Sequence, residues 1–98
     1  MIYLLAHLKC RTSPPVELLD AAKAMIASTR QEPGCILYDL NLSITDPQSM
    51  IFVEAWQSRE ALTEHFETGH MAVWRKASEG YFVDRKIEVI HPERVEVL

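Results

Sequence analysis

The chain is poor in the residues that stabilise small secreted proteins or anchor proteins in membranes. Its 98 residues include two cysteines and three glycines, and no apolar run approaches the roughly 18 residues that a membrane-spanning helix needs. Cys10 and Cys35 could form one disulfide, but their spacing matches no metal-binding motif. Because thiols stay reduced in the cytosol, we expect both to be free. Neither has a local histidine or helix N-terminus to activate it, so no catalytic cysteine is expected.

Basic residues are also scarce. Ten lysines and arginines are outnumbered by fourteen aspartates and glutamates, which gives a formal net charge of −4 at pH 7. Without a basic stripe to neutralise phosphates, nucleic acid is not expected as a partner, and neither is a membrane. The opening residues MIYLLAHL carry no basic leader or cleavage site and are better explained as a strand than as a signal peptide. We therefore expect a cytoplasmic protein.

The patterning that remains predicts one α+β domain over residues 1–98. Alternating apolar residues indicate four strands, over residues 2–11, 35–45, 50–56 and 82–90. Together with two helices they give the order β-α-β-β-α-β, which is that of a ferredoxin-like antiparallel sheet with both helices on one face. The other face also carries apolar side chains and has no helix to cover it. We therefore expect a homodimer formed through the helix-free sheet face.

The two helices have recognisable ends. Ser13 can cap a first helix that opens at Pro14 and carries an apolar stripe over residues 16–30, and Glu32-Pro33-Gly34 ends it. Ser58 caps the second helix, which Gly69 interrupts before a further helical piece over residues 70–78.

The third strand places a carboxylate between two aromatic side chains. Phe52, Glu54 and Trp56 share one face of this strand because successive side chains alternate. A buried charge costs several kcal/mol unless it is paired or neutralised. Either this face borders a polar cavity or Glu54 has a charged partner. Of these, we favour an ion pair with Arg75, Arg85 or a residue of a second subunit.

Histidines supply the candidate chemistry. His65 is the preferred general base, because imidazole can take a proton from a phenol or enol near neutral pH; an inert histidine at the core edge is the alternative. His7 on the first strand and His70 at a helix junction could contact substrate or be plain structural groups. On an unbroken helix His65 and His70 would point about 140° apart, and no carboxylate completes a set, so no metal site is predicted.

Aromatic and apolar side chains could line a binding pocket. Trp56 offers a flat face on which an aromatic substrate could stack, or it could simply anchor the core under the second helix. Phe66, Met71 and Trp74 fit the lining of a pocket, although residues at this spacing are often plain core.

Several short motifs resemble those of a known family. They are the opening strand, Glu32-Pro33-Gly34-Cys35 with Tyr38, the Asp46-Pro47 turn, Glu54-x-Trp56, Ala61-Leu62-x-x-His65 and Thr68-x-His70-Met71. Over nearly the whole chain they resemble the antibiotic biosynthesis monooxygenase family of dimeric α+β barrel proteins.

The resemblance implies a small-molecule pocket between the sheet and the helices of each subunit. His7, Glu54, Trp56, His65 and His70 are the residues most similar to pocket positions. The family includes cofactor-free oxygenases of aromatic polyketides, quinol-oxidising enzymes and an isomerase-like enzyme acting on a phosphorylated autoinducer. Its haem-degrading relatives carry Asn, Trp and His where His7, His65 and Arg75 stand here, so haem is not expected.

The expected function is oxidation of a hydroquinone, phenolic or polyketide-like aromatic compound by molecular oxygen, without a cofactor. His65 would deprotonate the substrate, and the aromatic and aliphatic residues would hold its ring. Two alternatives stay open at this point. One is an isomerase or lyase acting on a small carbonyl compound, with or without a phosphate group. The other is a stress-response module that binds a metabolite without transforming it.

Overall fold

Four strands and three helices make up the computed structural model, which describes residues 1–98. In chain order they are β1 (Ile2–Cys10), α1 (Val16–Thr29), β2 (Cys35–Leu42), β3 (Ser49–Trp56), α2 (Arg59–Phe66), α3 (Gly69–Ala77) and β4 (Phe82–Ile90). The strands form one antiparallel sheet in the order β2-β3-β1-β4. The predicted α+β, ferredoxin-like arrangement is confirmed, with the second helix divided in two. No helix has both the length and the apolar character that crossing a membrane requires.

The register of the sheet decides which side chains face the helices. Leu4 on β1 pairs with Glu54 on β3, and Glu54 pairs in turn with Tyr38 on β2. These residues are all buried, and the core cluster around them joins both central strands to the three helices. The opposite, helix-free face carries apolar residues from all four strands: Tyr3, Leu5, Leu37, Ile51, Val53 and Ile90.

The first helix begins later than the sequence suggests. Ser13 does not cap α1; Pro15 occupies the cap position with extended backbone, and its carbonyl accepts the amides of Leu18 and Leu19. The expectation that Pro14 starts the helix was wrong because a residue that precedes a proline is driven out of the helical region. Pro15 imposes that restriction on Pro14.

The second strand is shorter than expected. It ends at Leu42 rather than residue 45, because the Ser43 hydroxyl accepts the backbone amides of Thr45 and Asp46. Local side-chain bonds of this kind offer the backbone an alternative to the sheet ladder.

Two separate caps divide the second helical region. The Ser58 side chain accepts the amide of Ala61 at the start of α2, as predicted, and the Thr68 side chain accepts the amide of Met71 at the start of α3. Thr68 also donates its hydroxyl hydrogen to the carbonyl of His65. The chain therefore changes direction between His65 and His70.

Gly34 fixes how closely the segment before β2 approaches α2. A Cβ atom at this position would collide with the Cβ of Ala61, which is attached directly to the helix backbone and cannot rotate away. The Gly34 carbonyl also accepts the amide of Gln57, next to the start of α2. The glycine thus holds the loop that carries Glu32 against the helix that carries His65.

Gly34→Ala is expected to destabilise the protein by about 1–3 kcal/mol, since overpacking forces the backbone to shift. Gly69→Ala is the matched control, because nothing lies within 4 Å of a Cβ at that helical position. Chemical denaturation of the wild type and both variants measures the difference. Equal midpoints for the two variants would contradict the close approach assigned to Gly34.

Candidate active site

A groove of about 1120 Å³ lies between the sheet and the α2–α3 region. Its wall combines apolar core residues with a small set of buried polar groups. Among the lining residues are Leu4, Ala6, Leu8, Tyr38, Phe52, Glu54, His65, Phe66, Met71, Trp74 and Phe82. Because small-molecule sites are usually concave and mostly apolar with a few convergent polar groups, this groove is the candidate active site.

His65 is the central polar group of this groove. It is fully buried near the end of α2, with its ring centroid 4.7 Å from that of Trp56 and 5.2 Å from that of Tyr38. Its Nδ1 lies 2.7 Å from Oε2 of Glu32, whereas Nε2 has no hydrogen-bond partner. Since a carboxylate only accepts, the bond places the proton on Nδ1 and leaves a free lone pair on Nε2.

The surroundings of His65 favour its neutral form. Burial lowers the pKa of His65, and the hydrogen bond that His65 donates to Glu32 opposes that shift. A neutral imidazole with one nitrogen fixed and the other free can accept a proton from a bound molecule.

Glu32 holds a second imidazole as well. Nε2 of His70 lies 2.9 Å from the same Oε2 atom that binds His65. Glu32 belongs to the loop between α1 and β2, so this carboxylate ties that loop to both α2 and α3. From the sequence, Glu32 is expected only as part of a helix-ending turn. Its place in the motif Glu32-Pro33-Gly34-Cys35 was the sequence signal that could have identified Glu32 as a site residue.

Glu32, His65 and His70 together form a group of potential metal ligands. Their ligand atoms all lie within 4.8 Å of one another. The expectation that no carboxylate completes a set, and that a helix separates the histidines by about 140°, was wrong because α2 ends between them. Two imidazoles and a carboxylate suit Zn²⁺ or Fe²⁺. Here, however, one carboxylate oxygen bonds both imidazoles, and His65 Nε2 lacks the outer partner that a metal-bound histidine normally has.

Glu54 is buried without a cation. Its Oε1 accepts a hydrogen bond of 2.9 Å from Nε1 of Trp56, and its side chain is 4% exposed. The favoured ion pair with Arg75 or Arg85 is not formed; Arg75 donates instead to the carbonyl of Phe66. Burial raises the pKa of Glu54 to about 7, against the opposing hydrogen bonds from Trp56 and Tyr38. Burial, followed by the nearby Glu54, likewise raises the pKa of Tyr38.

The other candidate residues divide between the groove and elsewhere. Phe66, Met71 and Trp74 line the groove. Trp56 does not line the groove; it is packed against His65 and bonded to Glu54, so it presents no face on which a substrate ring could stack.

His7 lies on the opposite, helix-free face of the sheet. It pairs with Ile51 in the sheet, is exposed, and contacts Glu88 at 3.0 Å. Strand alternation separates it from Leu4 and Ala6, which face the groove, so His7 and His65 do not share a cavity within one subunit. His7 instead borders a smaller depression of about 400 Å³ on the helix-free face.

Known proteins resemble this chain in sequence and fold. A family model described as antibiotic biosynthesis monooxygenase matches residues 1–77. The probable quinol monooxygenase YgiN of Escherichia coli is 24% identical over 83 residues, which cover 76% of this chain and 80% of that protein. The structure of Rv0793 from Mycobacterium tuberculosis superposes with a TM-score of 0.87 at 27% identity, covering 98% of each chain.

An uncharacterized protein of Synechocystis sp. is 33% identical over 67 residues, or 68% of this chain. The match covers 46% of that relative, so the chain aligns with about half of its length. Glu32, Glu54, His65 and His70 all fall within the residues that the family model matches.

Glu54 should make stability depend on pH. Because its pKa rises from 4.5 in the free side chain to about 7 on folding, the folded protein holds a proton that the unfolded chain releases. Its contribution to the free energy of unfolding is therefore full below pH 4.5 and is lost as pH rises towards 7 and above. Glu54→Gln removes this loss, so the variant should gain about 2 kcal/mol relative to wild type between pH 5 and pH 8.

Thermal denaturation at several pH values measures that difference. The lowered pKa of His65 acts in the opposite direction, losing stability as pH falls, but it is common to both proteins and cancels in the comparison. The exposed Glu64→Gln on α2 is the control and should track the wild type. Parallel curves for Glu54→Gln and wild type would refute the buried, protonated carboxyl.

Proposed function

We propose that this chain, which belongs to the antibiotic biosynthesis monooxygenase family, oxidises a hydroquinone or related phenolic compound with molecular oxygen and without a bound cofactor. Family membership supports a small monooxygenase-like activity, and the similarity to a probable quinol monooxygenase supports the substrate class. The observation that carries the proposal is the unpartnered Nε2 of His65 in the wall of an apolar groove.

The first step of the proposed reaction is proton transfer to His65. Nε2 takes the proton of a phenolic hydroxyl, which leaves an electron-rich phenolate in the groove. Such an anion can transfer an electron to oxygen directly, so the protein supplies a base, an orientation and protection from bulk water.

Glu32 and His70 support that base as positioning residues. The bond from Nδ1 of His65 to Glu32 fixes the tautomer, and the carboxylate stabilises the imidazolium that forms when Nε2 is protonated. His70 binds the same oxygen and restrains the carboxylate from the side of α3. The arrangement follows the logic of a nucleophile-activating triad, in which a carboxylate orients an imidazole.

A non-oxidative isomerase or lyase is the second candidate. The same Nε2 could remove a proton next to a carbonyl group, and Arg75, Lys76 and Arg85 line the groove, where they could hold a phosphate. Glu79 and Asp84 line it too, which offsets part of that positive charge. We place this function second.

The oxygenase proposal predicts oxygen uptake by metal-stripped protein with at least one member of a hydroquinone and polyphenol panel. His65→Ala should lower uptake above the autoxidation background at least tenfold, because general-base catalysis typically contributes 10²-fold or more. His91→Ala, at an exposed position after β4, is the control and should match the wild type.

The other outcomes are informative. Uptake unchanged in His65→Ala would remove this histidine from the chemistry. No uptake with any compound would refute the oxygenase proposal; anaerobic turnover of a carbonyl compound would then favour the isomerase, and tight binding without product would favour a metabolite-binding module.

We also propose that the chain forms a homodimer through the helix-free face. The six apolar residues of this face cover all four strands, and no helix of the same chain packs on them. The segment after β4 carries the exposed Val95, Val97 and Leu98, which could extend the contact onto a second subunit. An uncovered apolar surface that extends over every strand of a sheet is typical of protein interfaces.

Val53→Glu tests the dimer, because Val53 lies on a central strand between Leu5 and Asp39. Size-exclusion chromatography with light scattering should give twice the chain mass for the wild type and the monomer mass for the variant. Val73→Glu, on the exposed surface of α3, is the control and should stay dimeric. A monomeric wild type at tens of micromolar would contradict the proposal.

A further inference from the structure

We propose that Glu54 is the proton donor in the oxygen-dependent half of the reaction. In this scheme Glu54 protonates the peroxide formed from substrate and oxygen, after His65 has deprotonated the substrate. The inference rests on the proposed oxygenase function and adds a second catalytic residue to it.

The placement of Glu54 supports this role. Glu54 and His65 line the same groove, one from the sheet and the other from α2. Trp56 lies between them, since it donates to Oε1 of Glu54 and packs its ring against His65. Glu54 and His65 make no hydrogen bond to each other, so a ligand in the groove they both line can use the two groups independently.

No cation faces the Glu54 carboxyl. Tyr38 faces it from β2 and Trp56 from its own strand, while Glu32 contributes a like charge from the loop before β2. Its neighbour on β1 is Leu4, which is apolar. A buried carboxylate without a cation is costly, so these surroundings hold the group as a carboxylic acid, the form that can donate.

The two titratable groups are shifted in opposite directions. Burial raises the pKa of Glu54 to about 7 and lowers the pKa of His65. Below about pH 7 the groove therefore presents a carboxyl group that keeps its proton together with an imidazole whose protonated form is disfavoured by burial. Environments that separate two such groups in this way are characteristic of acid and base partners in enzymes.

The proposed steps balance for conversion of a hydroquinone with an unsubstituted ring carbon next to a hydroxyl group into a hydroxyquinone; the bond to oxygen forms at that carbon. His65 takes the hydroxyl proton, and the phenolate adds to oxygen to form a carbon–oxygen bond and a peroxide anion. Glu54 protonates the terminal peroxide oxygen. The resulting carboxylate then removes the hydrogen from the same carbon as the O–O bond breaks.

The leaving hydroxide receives the proton held by His65 and departs as water. One oxygen atom of O₂ ends in the new carbonyl group and the other in water, and the hydroquinone has lost two hydrogens to that water. Both Glu54 and His65 return to their starting protonation states, so no external reductant or proton source is needed.

Glu54→Gln tests the role in stopped-flow experiments with a hydroquinone substrate from the panel. The amide keeps an oxygen for Trp56 but does not act as an acid. We expect the substrate anion to form anaerobically as in the wild type, and then to decay at least tenfold more slowly when oxygen is admitted. Glu54→Asp should recover part of the decay rate, and the exposed Glu64→Gln should behave as the wild type.

The pH profile gives a readout that a purely structural role would not move. The wild-type decay rate in oxygen should fall as pH rises above about 7, where Glu54 loses its proton, and Glu54→Gln should lack that fall.

The outcomes separate the two proposals. Failure of the wild type to form the anion or consume oxygen would overturn the oxygenase function and the role of Glu54 together. Normal anion formation in Glu54→Gln with wild-type decay would overturn the role of Glu54 alone. Loss of anion formation in Glu54→Gln would also overturn it, because the residue would then act in binding or deprotonation.

Discussion

The hydrogen bonds that Glu32 accepts from His65 and His70 connect parts of the molecule that share no backbone pairing. One carboxylate oxygen, 2.7 and 2.9 Å from the two imidazoles, joins the loop before β2 to both short helices. The close approach at Gly34 and the separate caps of α2 and α3 make this geometry attainable. The orientation of the proposed base thus depends on how the chain is folded around one half-buried carboxylate.

Burial then decides which protonation states the groove contains. The same exclusion of water that disfavours the charged imidazolium of His65 also disfavours the carboxylate of Glu54. Glu32 accepts hydrogen bonds from two imidazoles, which stabilise its negative charge. Three ionisable side chains in one region are therefore given different roles by their partners, as expected when desolvation competes with hydrogen bonding.

The sequence predicted the fold better than the site. Alternation along β3 placed Phe52, Glu54 and Trp56 on one face, and the bounds of β4 were predicted correctly, because period-two patterns depend on local sequence alone. The partner of His65 was missed because Glu32 lies 33 positions away, and the burial of Trp56 depends on the packing of α2 over β3. The error about His7 arose differently: alternation already placed it opposite the groove, and the resemblance outweighed that signal.

The apolar side chains of the groove wall take no part in the hydrogen bonds among Glu32, His65 and His70. Phe66, Met71 and Trp74 contribute their side chains to the wall, and none of these side chains donates or accepts a hydrogen bond within the group of Glu32, His65 and His70. Exchanging them would alter the shape offered to a ligand while leaving the oriented imidazole in place. A scaffold built in this way can diversify its choice of ligand by a few apolar substitutions and still inherit its proton chemistry unchanged.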